Sequence, residues 1–280
     1  MNTKLRFERY EFKYLLDVDQ YQRVKKALLH FLVPDSAVAG LPHGFYEVIS
    51  LYYDSPRFFY YWEKIDGASR RKKIRVRTYR HVAQGTYHDA QDAPIFLEIK
   101  RKRDAVILKD RLLLSRENLT KKDLSLVSCL LSLNNAHSRR VYNEYYFEQK
   151  ARCLAPKVLI SYSREPFIGK FNQNVRVTFD FGIRAKRTAS NADSKDALFD
   201  LENRGFADVS GTKVVMEVKF KGALPFYIDR ILKDFDLSRV PYSKYCLGVE
   251  ACYSLPLLAM LANKSQSETL GRKMVNLSAY

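Results

Sequence analysis

Cysteine and histidine are scarce in this sequence and acid is outnumbered, and each shortage closes off a chemistry. The 280 residues hold four cysteines, Cys129, Cys153, Cys246 and Cys252, with no CxxC pair, and five histidines without a ligand spacing such as HxxxH. A zinc or thiolate centre therefore has no foundation, and the cysteines read as reduced thiols of a cytoplasmic protein. The first residues carry no apolar run of signal-peptide length, and no later segment approaches the roughly 18 apolar residues that a membrane helix needs. Nucleotide and hydrolase signatures are missing too: there is no GxxxxGK[ST], no GxGxxG after a strand, no GxSxG and no HExxH, and Ser243 precedes Lys244 without the SxxK spacing of a serine acylase. No short repeat or low-complexity block is present. With 31 Asp+Glu against 48 Lys+Arg, the formal charge is +17. Such a field attracts anions of any kind, from nucleic acid and acidic lipid to phosphate compounds.

What is present is alternation. In Arg70 to Tyr79 (RRKKIRVRTY), Lys73, Arg75 and Arg77 point one way and Ile74 and Val76 the other; in Ile95 to Lys102 (IFLEIKRK), Glu98, Lys100 and Lys102 oppose Leu97 and Ile99. A period of two is strand periodicity, so each strand offers one cationic and one apolar face. Leu5 to Leu16 repeats the pattern, with Arg9, Glu11 and Lys13 against Tyr10, Phe12 and Tyr14. Further strands are predicted at 46–54, 106–113 (where Lys109 and Arg111 share a face), 157–164 (ending on Arg164), 174–181 (Arg176 with Asp180) and 213–221 (Glu217 with Lys219 and Lys221).

Helical spacing predicts a helix N-capped by Asp17 and running to about Leu32, where Pro34 ends it. Others are expected over 58–65, 120–133, 139–150 and 224–235, and from Tyr242 to Ala262 with an interruption at Pro256. The polar stretch 80–94 reads as a hairpin connection, and 185–211 as irregular loop. Residues 1–262 form one domain in this reading, followed by a polar tail at 263–280.

About eight strands with a charged face and an apolar back, together with several apolar helices, fit two arrangements. The charged faces meet bulk water, as in an ordinary sandwich. Alternatively the sheet closes into a barrel, charges inside and helices outside. A lumen lined by Arg and Lys is stable only when wet and anion-filled, because unpaired buried charge costs several kcal/mol per ion. Arg forks would grip phosphate oxygens there and Lys would act as point charges. Glu98 and Glu217, each two residues before a lysine in LEIK and MEVK, are either internal counter-charges or ligands for a hard divalent metal. The aromatic residues fall mostly opposite the cationic rows, where they serve as core, so nucleic acid is not the expected partner.

At these strands the sequence resembles the VTC domain, a polyphosphate polymerase module within the triphosphate tunnel metalloenzyme (CYTH-like) superfamily. The similar stretches are RYEFKY (9–14), SLYYDS (50–55), RKKIRVRTY (71–79), FLEIKRK (96–102), ILKDR (107–111), ISYSREPF (160–167), VRVTFD (175–180), VVMEVKF (214–220) and PYSKY (241–245), in family order. The resemblance implies an α+β fold built on an eight-stranded antiparallel β-barrel tunnel, with a charged interior and helices packed outside. It implies that Lys13, Arg75, Arg77, Lys100, Lys102, Lys109, Arg164, Arg176, Lys219, Ser243 and Lys244 bind phosphates, with Lys244, Arg75, Arg77 and Glu217 at the reacting centre. Glu217, and Glu98 as the second candidate, would hold Mn2+ or Mg2+. The implied reaction moves the γ-phosphoryl of ATP onto an inorganic polyphosphate chain; the alternatives are hydrolysis of inorganic triphosphate or tripolyphosphate, and non-catalytic polyphosphate binding. Superfamily hydrolases carry a glutamate-rich ExExK where this chain has Arg9, Glu11 and Lys13, which favours a one-metal polymerase. Some family members add an SPX domain and a membrane segment; neither is read here, so a membrane partner protein would have to supply them.

Overall fold

The computed structural model describes residues 6–83, 86–88, 93–104, 106–115, 119, 135–189, 194–199 and 205–253. The helix expected over 120–133, the interruption at Pro256 and the 263–280 tail lie outside these residues. Its strands are β1 (Arg6–Leu16), β2 (Leu32–Pro34), β3 (Tyr46–Asp54), β4 (Arg70–Ala83), β5 (Thr86–His88), β6 (Ile95–Arg103), β7 (Val106–Leu114), β8 (Ala155–Gly169), β9 (Arg176–Arg187), β10 (Phe206–Asp208) and β11 (Val214–Phe220). The helices are α1 (Val18–Leu28), α2 (Phe59–Ile65), α3 (Ala136–Arg152), α4 (Ser194–Phe199), α5 (Phe226–Asp234) and α6 (Lys244–Tyr253).

Hydrogen-bonded neighbours run β9-β11-β1-β7-β6-β4-β3-β8, and β8 pairs back onto β9. Eight strands thus close a ring, with every pairing antiparallel. Closure removes the free edges that an open sheet would expose. The short β2, β5 and β10 attach to β8, β4 and β9. This is the eight-stranded α+β barrel that the resemblance implies, and it decides between the two arrangements that the alternating faces left open.

The back of each strand is apolar because helices cover it. On one side Ile49, Leu51, Ile74, Val76, Leu97 and Ile99 pack with Val141, Tyr142 and Tyr145 of α3 and Leu198 of α4. On the other, Val177, Phe179, Met216 and Val218 pack with Val24 and Leu28 of α1 and Ile228, Ile231 and Leu232 of α5. α1 starts at a capping box, in which Asp17 accepts from the Gln20 N–H at 2.7 Å and the Gln20 side chain accepts from the Asp17 N–H at 3.3 Å.

α6 is placed differently. Its Tyr245, Cys246 and Val249 pack on Val48, Tyr52, Val158, Ile160, Ile183, Ala185 and Val215. Register puts Tyr52 opposite Arg75 and Val48 opposite Tyr162, so this cluster lies on the same strand faces as the cationic rows. α6 therefore fills part of the interior and leaves the remainder to the charged residues.

Three expectations change. α1 ends at Leu28, four residues short of Leu32, because Leu32–Pro34 leaves the helix to pair as β2 with Phe167, Ile168 and Gly169. The 80–94 stretch is partly strand: β4 runs on to Ala83 and β5 folds back upon it. Residues 185–211 are not all irregular, since β9 continues to Arg187, α4 follows, and β10 returns to pair with β9 at Arg184–Lys186. Long-range pairing decides the first of these, since the partners of β2 lie more than 130 residues along the chain.

Candidate functional site

The cationic faces converge on one cavity of about 970 Å³. It follows β4 from Arg71 to Tyr79, eight residues and so about 27 Å of strand. Sixteen of its lining side chains are Lys or Arg and two are carboxylates. Lys13, Arg75, Arg77, Lys100, Lys102, Lys109, Arg164, Arg176, Lys219, Ser243 and Lys244 all line it, as does Glu217. Glu98 stands behind that wall, fully buried. The register explains the convergence: Lys13 lies opposite Glu217, Arg75 opposite Glu98, Lys73 opposite Lys100, and Lys100 opposite Lys109.

Two carboxylate centres organise the cations. At the first, Glu217 Oε1 lies 3.2 Å from Lys13 Nζ and 2.9 Å from Lys244 Nζ, while Oε2 lies 2.5 Å from Lys219 Nζ and 3.2 Å from Arg164. Asp180 adds a fork to Arg164 at 2.6 and 2.7 Å and a bond to Lys244 at 2.6 Å. Glu11 accepts from Lys100 at 3.0 Å. Burial pushes the Glu217 carboxyl up, but Lys13, Lys219, Lys244 and Arg164 together pull it well below the usual range. Burial lowers the Lys244 ammonium, yet Asp180, Glu217 and Tyr162 hold it above its ordinary value.

At the second centre Glu98 accepts from Arg75 Nε at 2.8 Å and Nη2 at 2.7 Å, pairs with Lys109 Nζ and lies 3.9 Å from Arg77. Its carboxyl is raised by burial and drawn well below the usual range by Lys109, Arg75 and Arg77. The guanidinium groups are steered further by hydroxyls: Arg75 donates to Tyr52 Oη at 2.7 Å, and Arg77 to Ser50 Oγ at 2.9 Å and Tyr162 Oη at 3.2 Å. Sequence reading missed Ser50, Tyr52 and Tyr162. All nine residues of β3 are buried, so the strand carries no charged face to announce its inward side.

α6 brings in the last pieces. Ser243 Oγ accepts from the Cys246 N–H at 3.2 Å and from Lys73 Nζ at 2.6 Å. Tyr245 stacks on Tyr52 with centroids 5.0 Å apart and donates to Asp54, which also accepts from the Tyr60 and Tyr61 N–H groups at 3.0 Å. Asp54 thereby ties the starts of α2 and α6 together beside the tunnel. Lys244, between Ser243 and Tyr245, has its ammonium 4.8 Å over the Tyr162 ring.

Among the described residues no group of three or more His, Cys, Asp or Glu side chains is arranged to hold a metal. Glu217 faces the lumen, as Glu11 does, but Lys13, Lys219, Lys244 and Arg164 already occupy both of its oxygens, so a hard divalent cation would have to displace ammonium groups from it. Such an ion would take its remaining oxygens from phosphate and water, as Mg2+ commonly does. Glu98, off the lumen and enclosed by Arg75, Arg77 and Lys109, is placed as their counter-charge.

A scan of family models matches the VTC domain over residues 8–253. The chain belongs to the VTC domain family. A search of curated proteins finds no match. Among solved structures, this VTC domain is similar to a candidate adenylate cyclase from Bacillus halodurans, with 14% identity, 86% of this chain and 96% of that chain covered, and a TM-score of 0.43. It is similar to a Pyrococcus horikoshii protein at 14% identity, 87% and 99% coverage and a TM-score of 0.43. A Mimivirus capping enzyme triphosphatase follows at 9%, 84% and 90%, with a TM-score of 0.33. Likenesses this loose carry no functional inference. Family membership and the basic lumen support a tunnel for triphosphate-type anions and phosphoryl chemistry. No helix among the described residues is long and apolar enough to cross a membrane.

Proposed function

We propose that this VTC domain is a polyphosphate polymerase, moving the γ-phosphoryl of ATP onto the end of an inorganic polyphosphate chain. The observation that carries the proposal is a lumen that follows about 27 Å of β4, lined by sixteen cations and two carboxylates, inside a VTC domain. A terminal chain oxygen attacks the γ-phosphorus, the bond to the β-bridging oxygen breaks, and ADP leaves with that electron pair. Little covalent chemistry falls to the protein, so positioning and charge stabilisation do most of the work.

Arg75 and Arg77, aimed into the lumen by Glu98, Tyr52, Ser50 and Tyr162, hold oxygens of the transferred group. Lys244 places a third positive charge against it. Lys13, Lys100, Lys102, Lys109, Arg164, Arg176 and Lys219 bind flanking phosphates as point charges or forks, and Ser243 donates a hydroxyl. Mn2+ or Mg2+, held by Glu217 and phosphate oxygens, would neutralise charge spread over the transferred group.

Purified protein incubated with ATP and Mn2+ is expected to yield ADP and long-chain polyphosphate. Orthophosphate release from tripolyphosphate without chain growth would instead establish a hydrolase. No turnover with any divalent metal, alongside retained binding, would leave a polyphosphate-binding module.

A further inference from the structure

The two most exposed large apolar side chains among the described residues are Phe171, 83% exposed, and Phe226, 79% exposed, and neither lines the cavity. Three segments bring them together on the outside of the barrel. Phe171 lies in the turn from β8 to β9, Phe226 opens α5, and the chain leaving α1 for β2 touches both neighbourhoods. The Lys170 N–H donates to Phe31 O at 2.9 Å, and Lys170 Nζ donates to Leu29 O and His30 O at 3.0 Å. Phe31 in turn stacks on Tyr227, with ring centroids 4.6 Å apart. Leu29 and Val33 of that connecting chain are exposed as well. The β8–β9 turn is tight: the Val175 N–H donates to Asn172 O at 3.0 Å, and a Cβ added at Gly169 would fall 2.5 Å from the same oxygen. Phe171 therefore has no slack chain by which to turn back onto the barrel.

The charge around these tips has one sign. Residues 26–33, 169–174 and 221–227 contain Lys26, His30, Lys170 and Lys221, all exposed, and no Asp or Glu. The carboxylates nearest along the chain are already matched, Asp35 to Arg176 at 3.3 Å and Asp229 to Lys233 at 2.7 Å. Protruding apolar side chains set among unanswered lysines mark an interaction surface, and their chemistry selects the partner. A second copy meeting this patch about a two-fold axis would set the lysines against their own kind. A rigid protein would need a shaped pocket for each ring. The interfacial layer of a bilayer needs none: it takes aromatic tips at headgroup depth, while lysine stems lie along it and their ammonium groups reach anionic headgroups.

We propose that this end of the α1–α5 face is a peripheral docking surface for a membrane bearing anionic phospholipid. Phe171, Phe226, Leu29 and Val33 enter the interfacial layer, and Lys26, Lys170 and Lys221 meet the headgroups. The surface lies outside the lumen, so the inference does not depend on which reaction runs there.

Cosedimentation of the full chain with phosphatidylcholine vesicles, with and without phosphatidylserine, tests it. The wild type is expected to bind the phosphatidylserine vesicles and to leave the neutral ones largely unbound. Phe171→Ala combined with Phe226→Ala is expected to weaken binding about tenfold or more. Lys26→Gln combined with Lys221→Gln is expected to weaken it roughly fivefold for each lysine removed. Phe147→Ala on α3 and Lys213→Gln before β11, exposed residues outside these segments, serve as controls and are expected to change nothing. A melting curve checks that each variant is folded. No binding by the wild type, equal binding to neutral vesicles, or controls as damaging as the patch variants overturns the proposal. So does self-association in solution that the phenylalanine substitutions abolish, which would assign the patch to a second copy.

Discussion

Glu98 shows how a residue serves a site it never touches. It is fully buried, and it neutralises Arg75, Arg77 and Lys109 while turning the two arginines toward the lumen. Removing one member of a buried ion-pair network leaves the others uncompensated, at a cost of about 3–5 kcal/mol. Glu98→Gln is therefore expected to lower stability by about that much in urea unfolding, with part of the loss restored by tripolyphosphate, an external counter-charge. A titration is expected at the same scale. Burial, followed by repulsion from Lys13 and Lys100, lowers Lys73 to about 8 against the pull of Cys246 and Tyr52. Burial raises the Tyr52 phenol, but Arg75, Arg77 and Lys73 bring it down to about 8. As pH rises through 8 the lumen loses a positive charge and gains a negative one, so tripolyphosphate affinity falls, and Lys73→Met flattens the profile. Stability of the empty protein moves the other way. Both groups release their protons at lower pH folded than unfolded, so between about pH 8 and pH 10 the unfolded chain binds more protons and these two groups add stability.

At the scale of elements, α6 is the piece on which the site depends most. It fills interior space with Tyr245, Cys246 and Val249 and delivers Ser243 and Lys244 to the lumen. It approaches closely at Gly248, where an added Cβ would come within 2.9 Å of Ile160 Cδ1 and 3.1 Å of Ala185 Cβ. Asp54 is its anchor, accepting from the Tyr245 hydroxyl and from the Ser55, Tyr60 and Tyr61 N–H groups. Asp54→Ala leaves these buried donors without a partner, at about 1–3 kcal/mol each. The variant is expected to melt well below the wild type and, where still folded, to lose turnover, because Lys244 is no longer held against Asp180 and Glu217. Faster amide exchange confined to α2 and the start of α6, measured below the melting transition, would identify the anchor as the cause.

For the molecule as a whole, the charge of +17 sits partly inside the barrel, where sixteen Lys and Arg side chains line the cavity against two carboxylates and a bound anion would neutralise part of it. Binding to the folded state alone stabilises by mass action, about 2.7 kcal/mol at a hundredfold excess over Kd. Tripolyphosphate is thus expected to raise Tm strongly. Added sodium chloride should shrink the effect only modestly, since ions paired inside a barrel are screened less than those on a surface. A steep loss by about 0.15 M salt would place the binding on the outer surface instead.

The alternation of RRKKIRVRTY and IFLEIKRK determined by itself that these strands have one charged and one apolar face, since side chains alternate along any strand. The same alternation in other strands put Lys13, Lys109, Glu217 and Lys219 on charged faces as well; that these faces share one site was implied by the resemblance and not by the pattern. Three things were not legible. β3, buried on both faces, hides Ser50 and Tyr52; α6 looks like any apolar helix and enters the interior; and Glu98 could equally have faced metal or arginine. Only the tertiary structure decided these, because the pairing register between strands sets what lies opposite what. Glu98 became a counter-charge once the β4–β6 ladder set it opposite Arg75 and Lys109, two places along β7 from its direct partner Arg111, reached it diagonally. Periodicity reports a strand's two faces; which face meets which partner depends on the register between strands.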